Sequence, residues 1–265
     1  MSDRLAQARC FLLDMDGTFF LGDRLIEGAL DFIQVLRQQN KGFLFVTNNS
    51  SKDSQQYADK ITRLGLPIAA SQVLTSGEAA ARCLAIDHPG ARLFVVGTPS
   101  LEGELRRAGF VLDDQAPQVA VVGFDTTLTY AKLWKLCDLV RAGLPYVATH
   151  PDVNCPTTGG FMPDIGAVIA FVKASTGREP DLVVGKPSRR MAEAAAQKLA
   201  VPLAELAMIG DRLYTDIALG QAAAIPSVLV LSGETRPADV TASPYQPDYT
   251  FEHLGAVGAW LVAHA

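Results

Sequence analysis

Asp14 and Asp16 stand two positions apart, with Gly17 and Thr18 directly behind them. Two carboxylates at that spacing, ahead of a glycine turn, can point into one small volume. Alone, Asp-Gly is also a common turn, so the pair gains weight only from its company. Thr47-Asn48-Asn49-Ser50 offers a hydroxyl and amide groups. Gly185-Lys186-Pro187 offers a compact cation on a restrained segment. Gly210-Asp211-Arg212-Leu213-Tyr214-Thr215-Asp216 adds two carboxylates. Each segment has a bland reading: a polar loop that caps a helix, a solvated lysine, or a helix N-terminus where Asp216 favours the dipole. Together they supply carboxylates, hydroxyl and amide donors, and a lysine. Phosphoryl transfer needs that set, because the charge sits on the phosphoryl oxygens and catalysis is mostly positioning and neutralisation. Asp14 and Asp211 suit Mg²⁺, which takes a few hard oxygen ligands and keeps water and phosphate in its octahedron. Lys186, Thr47 and the amides near Asn48 suit phosphate oxygens.

Each of the four segments follows a short apolar run. The pattern predicts strands at 10–13, 42–46, 73–74, 92–96, 119–123, 146–148, 182–184, 207–209 and 227–231. Helical spacing appears between them: Leu30, Ile33 and Leu36 in 27–39, and Leu133, Leu136 and Val140 in 130–142. Further helices are expected near 101–108 and over 166–175. Ser50 with Asp53 reads as a capping box for a helix carrying Tyr57, Ile61 and Leu64. Thr75 with Glu78 suggests another capped start. Repeated strand–helix–strand order implies a parallel sheet covered on both faces. Such sheets hold ligands at the carboxyl ends of their strands, where all four polar segments fall.

The chain has 265 residues, 49% of them hydrophobic, enough for a sizeable core. Lys and Arg total 23 against 28 Asp and Glu, a net charge of -5. That balance argues against a nucleic-acid binder held by charge, while a local site can still be positive. Apolar runs such as 165–172 and 228–231 are too short to span a bilayer. The first apolar run meets Asp14 at once, unlike a signal peptide, so no membrane partner and a cytoplasmic location are expected. Cys10, Cys83, Cys137 and Cys155 are scattered, which reads as reduced thiols rather than a disulfide frame or a zinc site. His88, His150, His253 and His264 show no metal-ligand spacing.

The four segments, in this order, resemble the motifs of the haloacid dehalogenase-like superfamily. The Thr-Asn-Asn and Gly-Asp-Arg-Leu-x-Thr-Asp forms look like its NagD-like, p-nitrophenylphosphatase-type branch, subfamily IIA, as do Ala148-Thr149-His150-Pro151-Asp152 and Thr176-Gly177-Arg178-Glu179-Pro180. The resemblance implies an α/β fold: a doubly wound, Rossmann-like parallel-sheet core of residues 1–78 and 183–265, with an inserted α/β cap of the C2 type over 79–182. It implies an Mg²⁺-dependent phosphatase acting on a small phosphomonoester. Asp14 would be the nucleophile, forming an aspartyl phosphate. Asp16 would act as general acid and base, its main-chain carbonyl also binding Mg²⁺. Thr47, Asn48, Asn49 and Lys186 would bind phosphate, Asp211 would be the second carboxylate ligand, and Asp216 would orient water or Lys186. The loop 150–158 is the candidate for contact with the rest of the substrate, through His150, Asp152, Asn154 and Cys155. Cys155 departs from the His that some relatives carry there.

Other readings remain open at this point. A phosphomutase uses similar core residues, although the large cap resembles the hydrolase branch. A receiver-type signalling module also combines an acidic cluster, a Thr or Ser and a Lys, but it predicts one small domain without a cap. Asp16 argues against a dehalogenase, which has no leaving alcohol to protonate. Neither a G-x-x-x-x-G-K-[ST] loop nor a G-x-G-x-x-G after the first strand occurs. A homo-oligomer is compatible with all of this.

Overall fold

The computed structural model describes residues 3–157 and 159–265. The chain forms two compact units. Met1–Thr47, Gln55–Leu74 and Lys186–Ala265 make the first; Asn48–Ser54 and Thr75–Gly185 make the second.

The first unit is built on a six-stranded sheet in the order Tyr249–Phe251, Ser227–Val230, Leu206–Gly210, Cys10–Leu13, Gly42–Thr47, Val73–Thr75. Cys10–Leu13 pairs in parallel with both neighbours, and the next two pairings on the Leu206–Gly210 side are parallel as well. The chain therefore builds outward from its first strand in one direction, then returns and builds outward in the other. Right-handed crossovers on the two sides place helices on opposite faces, and the reversal opens a crevice at the carboxyl ends of Cys10–Leu13 and Leu206–Gly210. Every residue of these two strands is buried, as a strand covered on both faces requires. Phe11, Leu13, Phe43, Phe45, Ala207, Ile209, Val228 and Val230 alternate along their strands and share a core with Phe32, Leu36, Val257 and Leu261. Those last four come from the helices Ala29–Gln38 and Leu254–Ala263, which pack on each other.

The second unit has its own five-stranded sheet, in the order Leu182–Val183, Tyr146–Ala148, Val119–Val122, Arg92–Val96, Val111–Leu112, with every neighbouring pair parallel. Its core joins Phe94, Val96, Ala120, Val122, Tyr146 and Ala148 to Leu136, Val140, Ile165 and Val172 from two helices. Threonine caps recur: Thr75 Oγ1 accepts from Glu78 N at 3.0 Å, Thr98 from Leu101 N at 3.4 Å and Thr129 from Lys132 N at 3.3 Å, each satisfying a donor that the helix leaves open. A second packed sheet is at odds with the one-domain receiver module.

Two local expectations need correction. Ser50 does not cap the following helix, which starts at Ser54. The Ser50 hydroxyl is buried; it accepts from Phe124 N at 2.8 Å and pairs with Thr149 Oγ1 at 2.9 Å. The segment taken as a loop after His150 contains the strand Asn154–Thr157, paired antiparallel with Gly160–Pro163. Thr158, the far end of the candidate loop, lies outside the described residues. The four cysteines are free, and three of them are buried. Among the described residues no helix is long and apolar enough to cross a membrane.

One buried carboxylate of the second unit carries a measurable consequence. Glu104, on the helix Pro99–Arg107, accepts from Thr75 Oγ1 at 2.8 Å and from Ser54 N at 3.2 Å. It therefore ties together the two segments by which the chain enters this unit. Burial pushes its pKa up to about 7; the hydrogen bonds from Thr75 and Ser54 oppose the shift, and the neighbouring Glu78 and Asp53 charges add to it. The folded chain then holds this proton more tightly than the unfolded chain does. The carboxyl costs stability as pH rises from about 4.5 to about 7, by up to about 3 kcal/mol. Glu104→Gln removes that titration. Denaturant midpoints should show the wild type losing stability relative to the variant between pH 4.5 and pH 7.5; a constant difference across that range would mean that Glu104 does not titrate there.

Candidate active site

Asp14 is the first residue past the central strand. Its main-chain N–H still bonds Ile209 O at 2.9 Å, so the parallel ladder fixes where it leaves the sheet. Asp211 occupies the equivalent position after Leu206–Gly210, the strand paired with Cys10–Leu13. Lys186 donates to Asp14 Oδ1 and, at 2.7 Å, to Asp216 Oδ1. One carboxylate oxygen from each of Asp14, Asp211 and Asp216 lies within 4.8 Å of the others. The sheet thus brings together four of the residues singled out by sequence, all in the first unit.

Their environments differ. The Asp14 side chain is 13% exposed and that of Asp216 is 0%; Asp211 is 1% exposed as a residue. Of the three carboxylates, Asp14 is the one an incoming molecule can reach. Burial raises the Asp211 pKa to about 7, helped by the charges of Asp14 and Asp216. Burial also raises Asp216, to about 6, against the pull of Lys186. For Lys186, burial alone would lower the pKa, but the charges of Asp14 and Asp216 outweigh it and hold the ammonium charged. Lys186 is bonded to two of the three crowded carboxylates, and the Arg212 charge acts on all three. A cluster of hard oxygen donors of this kind fits a divalent cation of the Mg²⁺ type.

The carboxylates are seated by backbone. Asp216 Oδ2 accepts from Arg212 N at 3.1 Å, a bond made within the π-helical turn Leu213–Ile217 and its N-cap. Asp211 Oδ2 accepts from Glu234 N at 2.7 Å, and its Oδ1 lies 3.4 Å from the Thr18 hydroxyl. Three glycines make room. A Cβ on Gly17 would lie 2.4 Å from Asp211 Oδ2, one on Gly233 2.0 Å from the same atom, and one on Gly210 2.2 Å from Asp216 Cγ. Gly17 also has φ +87°, which any side chain would strain. Ser232 Oγ donates to Gly17 O at 2.8 Å, tying the two flanking loops together. Sequence reasoning missed Ser232, Gly233 and Glu234. The signal was available, since they follow the strand Ser227–Val230 at the same sheet edge.

Asp16 is exposed as a residue. Partial desolvation of its carboxyl raises its pKa; Lys60 opposes this and the Asp14 charge adds to it. Thr47 ends the strand Gly42–Thr47, whose Phe45 is in register with Leu13.

The remaining candidates belong to the second unit. Asn48 is buried, and its Nδ2 donates to both oxygens of Asp152 at 3.2 Å. Asn49 Oδ1 accepts from Ser51 N at 2.8 Å. His150 is 0% exposed; its Nε2 lies 3.0 Å from Asp164 Oδ1 and its Nδ1 3.2 Å from Thr149 Oγ1. His150, Asp152 and Asp164 form a cluster that spacing did not foretell. Asn154 is exposed and Cys155 half-buried on the hairpin strand.

The same motifs are found in known proteins. A model of the haloacid dehalogenase-like hydrolase family matches residues 11–111, and a second, HAD-hydrolase-like model matches 183–257. An acid sugar phosphatase of Staphylococcus saprophyticus is 36% identical over 250 residues, 94% of this chain and 96% of that protein. The crystal structure of a 4-nitrophenylphosphatase from Thermotoga maritima superposes with a TM-score of 0.94 at 44% identity, covering 97% of this chain and 98% of that one. A glycerol phosphate phosphatase of Mycobacterium tuberculosis in complex with magnesium gives a TM-score of 0.88 at 32% identity, over 97% of this chain and 79% of that one. With the family models spanning both halves of the first unit and such relatives along almost its whole length, this chain belongs to the haloacid dehalogenase-like hydrolases.

Proposed function

We propose that the chain is an Mg²⁺-dependent phosphatase that hydrolyses a small phosphomonoester through an aspartyl phosphate on Asp14. The observation that carries this is the Lys186 ammonium bonded at once to Asp14 and Asp216, with the Asp211 carboxylate beside them. Asp14 is the reachable member of the cluster, and Lys186 orients its carboxylate. An Asp14 oxygen attacks phosphorus as the phosphorus–oxygen bond to the alcohol breaks. The raised pKa of Asp16 suits it to give its proton to the departing oxygen. The Asp16 carboxylate then takes a proton from water. That water attacks phosphorus, the bond to Asp14 breaks, and inorganic phosphate leaves with both carboxyls restored.

Asp14, Asp211 and the main-chain carbonyl of Asp16 would hold Mg²⁺, which when bound neutralises charge on the phosphoryl oxygens. Thr47, Asn48, Asn49 and Lys186 are assigned to the phosphate group. Asp216 touches Lys186 and acts through it. The second unit is assigned the part of the cap expected near 79–182, with Asn154 and Cys155 on its hairpin as the candidates for contact with the rest of the ester. The acid sugar phosphatase and 4-nitrophenylphosphatase relatives support the phosphomonoester class, so sugar phosphates, nucleotides and aryl phosphates make up the first panel to test.

Release of inorganic phosphate from that panel with Mg²⁺ tests the reading directly. Asp14→Asn should lower turnover by on the order of 10⁴ or more while thermal unfolding stays close to that of the wild type. Turnover within tenfold of wild type would reject Asp14 as the nucleophile. Gly233→Ala tests the metal assignment without touching a carboxylate. Its Cβ must displace Asp211, so the Mg²⁺ concentration for half-maximal activity should rise roughly tenfold or more. An unchanged metal titration would remove Asp211 from the ligand set.

A further inference from the structure

We infer that Asp152, backed by the His150–Asp164 pair, is a positioning site that fixes Asn48 through its side chain and its carbonyl. This rests on the assignment of Asn48 to the phosphate group and goes beyond it by naming what holds that residue. The Asn48 carboxamide has two N–H donors, and Nδ2 lies 3.2 Å from both oxygens of Asp152. One N–H is thereby shared between the two oxygens of a carboxylate, a charge-assisted arrangement. The Asn48 carbonyl accepts from Ser76 Oγ, and Ser76 begins the helix Ser76–Asp87. Gly185 closes the remaining side, because a Cβ there would lie 2.6 Å from Asn48 Oδ1. An asparagine held in this way serves phosphate through its main chain, and its side chain is an anchor.

The groups behind Asp152 form a chain with one consistent direction of hydrogen bonding. Phe124 N donates to Ser50 Oγ at 2.8 Å, which leaves the Ser50 hydroxyl hydrogen for Thr149 Oγ1 at 2.9 Å. The Thr149 hydroxyl then donates to His150 Nδ1 at 3.2 Å, and His150 Nε2 donates to Asp164 Oδ1 at 3.0 Å. The same Asp164 oxygen accepts from Ile165 N at 2.6 Å and so caps the helix Ile165–Thr176. His150, fully buried with both ring nitrogens engaged, is part of this frame and not a ligand contact. Its Nδ1 also lies 3.3 Å from Ser76 Oγ, the hydroxyl that donates to the Asn48 carbonyl. Segments 48–51, 75–76, 149–152 and 164–165 thereby converge on a single asparagine.

The test is a double-mutant cycle of Asn48→Ala and Asp152→Asn, with Asp152→Glu as the conservative variant. Asp152→Asn keeps one acceptor oxygen but removes the charge and the second acceptor, which weakens the pair. Three readouts are taken with Mg²⁺ present: binding of inorganic phosphate by calorimetry, KM and kcat on 4-nitrophenyl phosphate, and Tm. Asp152→Asn should weaken phosphate binding and raise KM about tenfold, with kcat changed far less. Asn48→Ala should lose a similar factor, the double variant no more than Asn48→Ala alone, and Asp152→Glu should recover part of the loss. Additive losses in the double variant would overturn the inference. So would unchanged phosphate binding in Asp152→Asn, or a fall in Tm and kcat together at unchanged phosphate affinity. A wild type that binds phosphate but releases none from esters would sink the phosphatase reading and leave this cycle intact, since calorimetry needs no turnover.

Discussion

The Lys186 ammonium, shared between Asp14 and Asp216, is what allows three carboxylates to occupy one buried volume. Moving a single carboxylate out of water costs several kcal/mol even after relaxation, and like charges a few ångströms apart repel strongly where the dielectric is low. One lysine offsets part of this. It does so unevenly: Asp216, fully enclosed and bonded to Lys186, acts as the counterion that keeps the ammonium in place, while Asp14 shares the same cation but stays open to solvent. Asp211 touches no cation side chain and is held by the Glu234 N–H and the Thr18 hydroxyl. The raised pKa of Asp211 comes first from its burial and then from the charges of Asp14 and Asp216. Residues of the same type thus take different parts through their partners alone.

That arrangement depends on topology before it depends on side chains. The first strand is central, and the chain leaves it in opposite directions on its two sides. Asp14 and Asp211 therefore emerge from neighbouring strands at the one edge where no crossover covers them. Leu13 faces Ile209 in the ladder, so Asp14 stands level with Gly210 and Asp211 follows one residue further on. Lys186 then needs only to return at the same edge, which it does at the start of the first unit's last segment. The alternating apolar residues of the inner strands keep this edge rigid, because a one-residue slip would turn every buried side chain to the wrong face.

Much of this was legible in the sequence, and the parts that were not share a physical cause. The strands at 10–13, 92–96 and 146–148 appear where apolar runs predicted them. Thr75 caps its helix as its spacing with Glu78 indicates. Local chemistry was enough in these cases. Ser50 is the counterexample: it has the spacing of a cap, yet its hydroxyl is taken by Phe124 and Thr149, far away in the chain. His150 carried a family signature next to Asp152 and read as a candidate for substrate contact; nothing local reveals that Asp164 and Thr149 hydrogen-bond to its ring. Gly233 reads as a turn, and its value lies in an atom it lacks, which no periodicity can display. Sequence patterns report period and local partners; tertiary capture of a hydroxyl, an imidazole or a missing methyl lies outside them.

A last consequence concerns how chemistry and selection divide along the chain. On the proposed function, Asp14, Asp16, Asp211 and Lys186 of the first unit would meet only the phosphoryl group and the oxygen that leaves with it. Differences among esters must then be read by groups of another kind, shaped to carbon, hydroxyls or a ring. The second unit carries exposed apolar side chains on the hairpin of Asn154–Thr157 and Gly160–Pro163, where Phe161 is 74% exposed and Met162 37%. Behind the hairpin, His150 and Asp164 are buried and bonded to each other, and Asp152 accepts from Asn48. An anchored asparagine and an exposed hairpin within one unit are separate demands on the sequence: the first fixes Asn48, Asp152 and Ser76 by their hydrogen bonds, and the second leaves Phe161 and Met162 free of packing constraints.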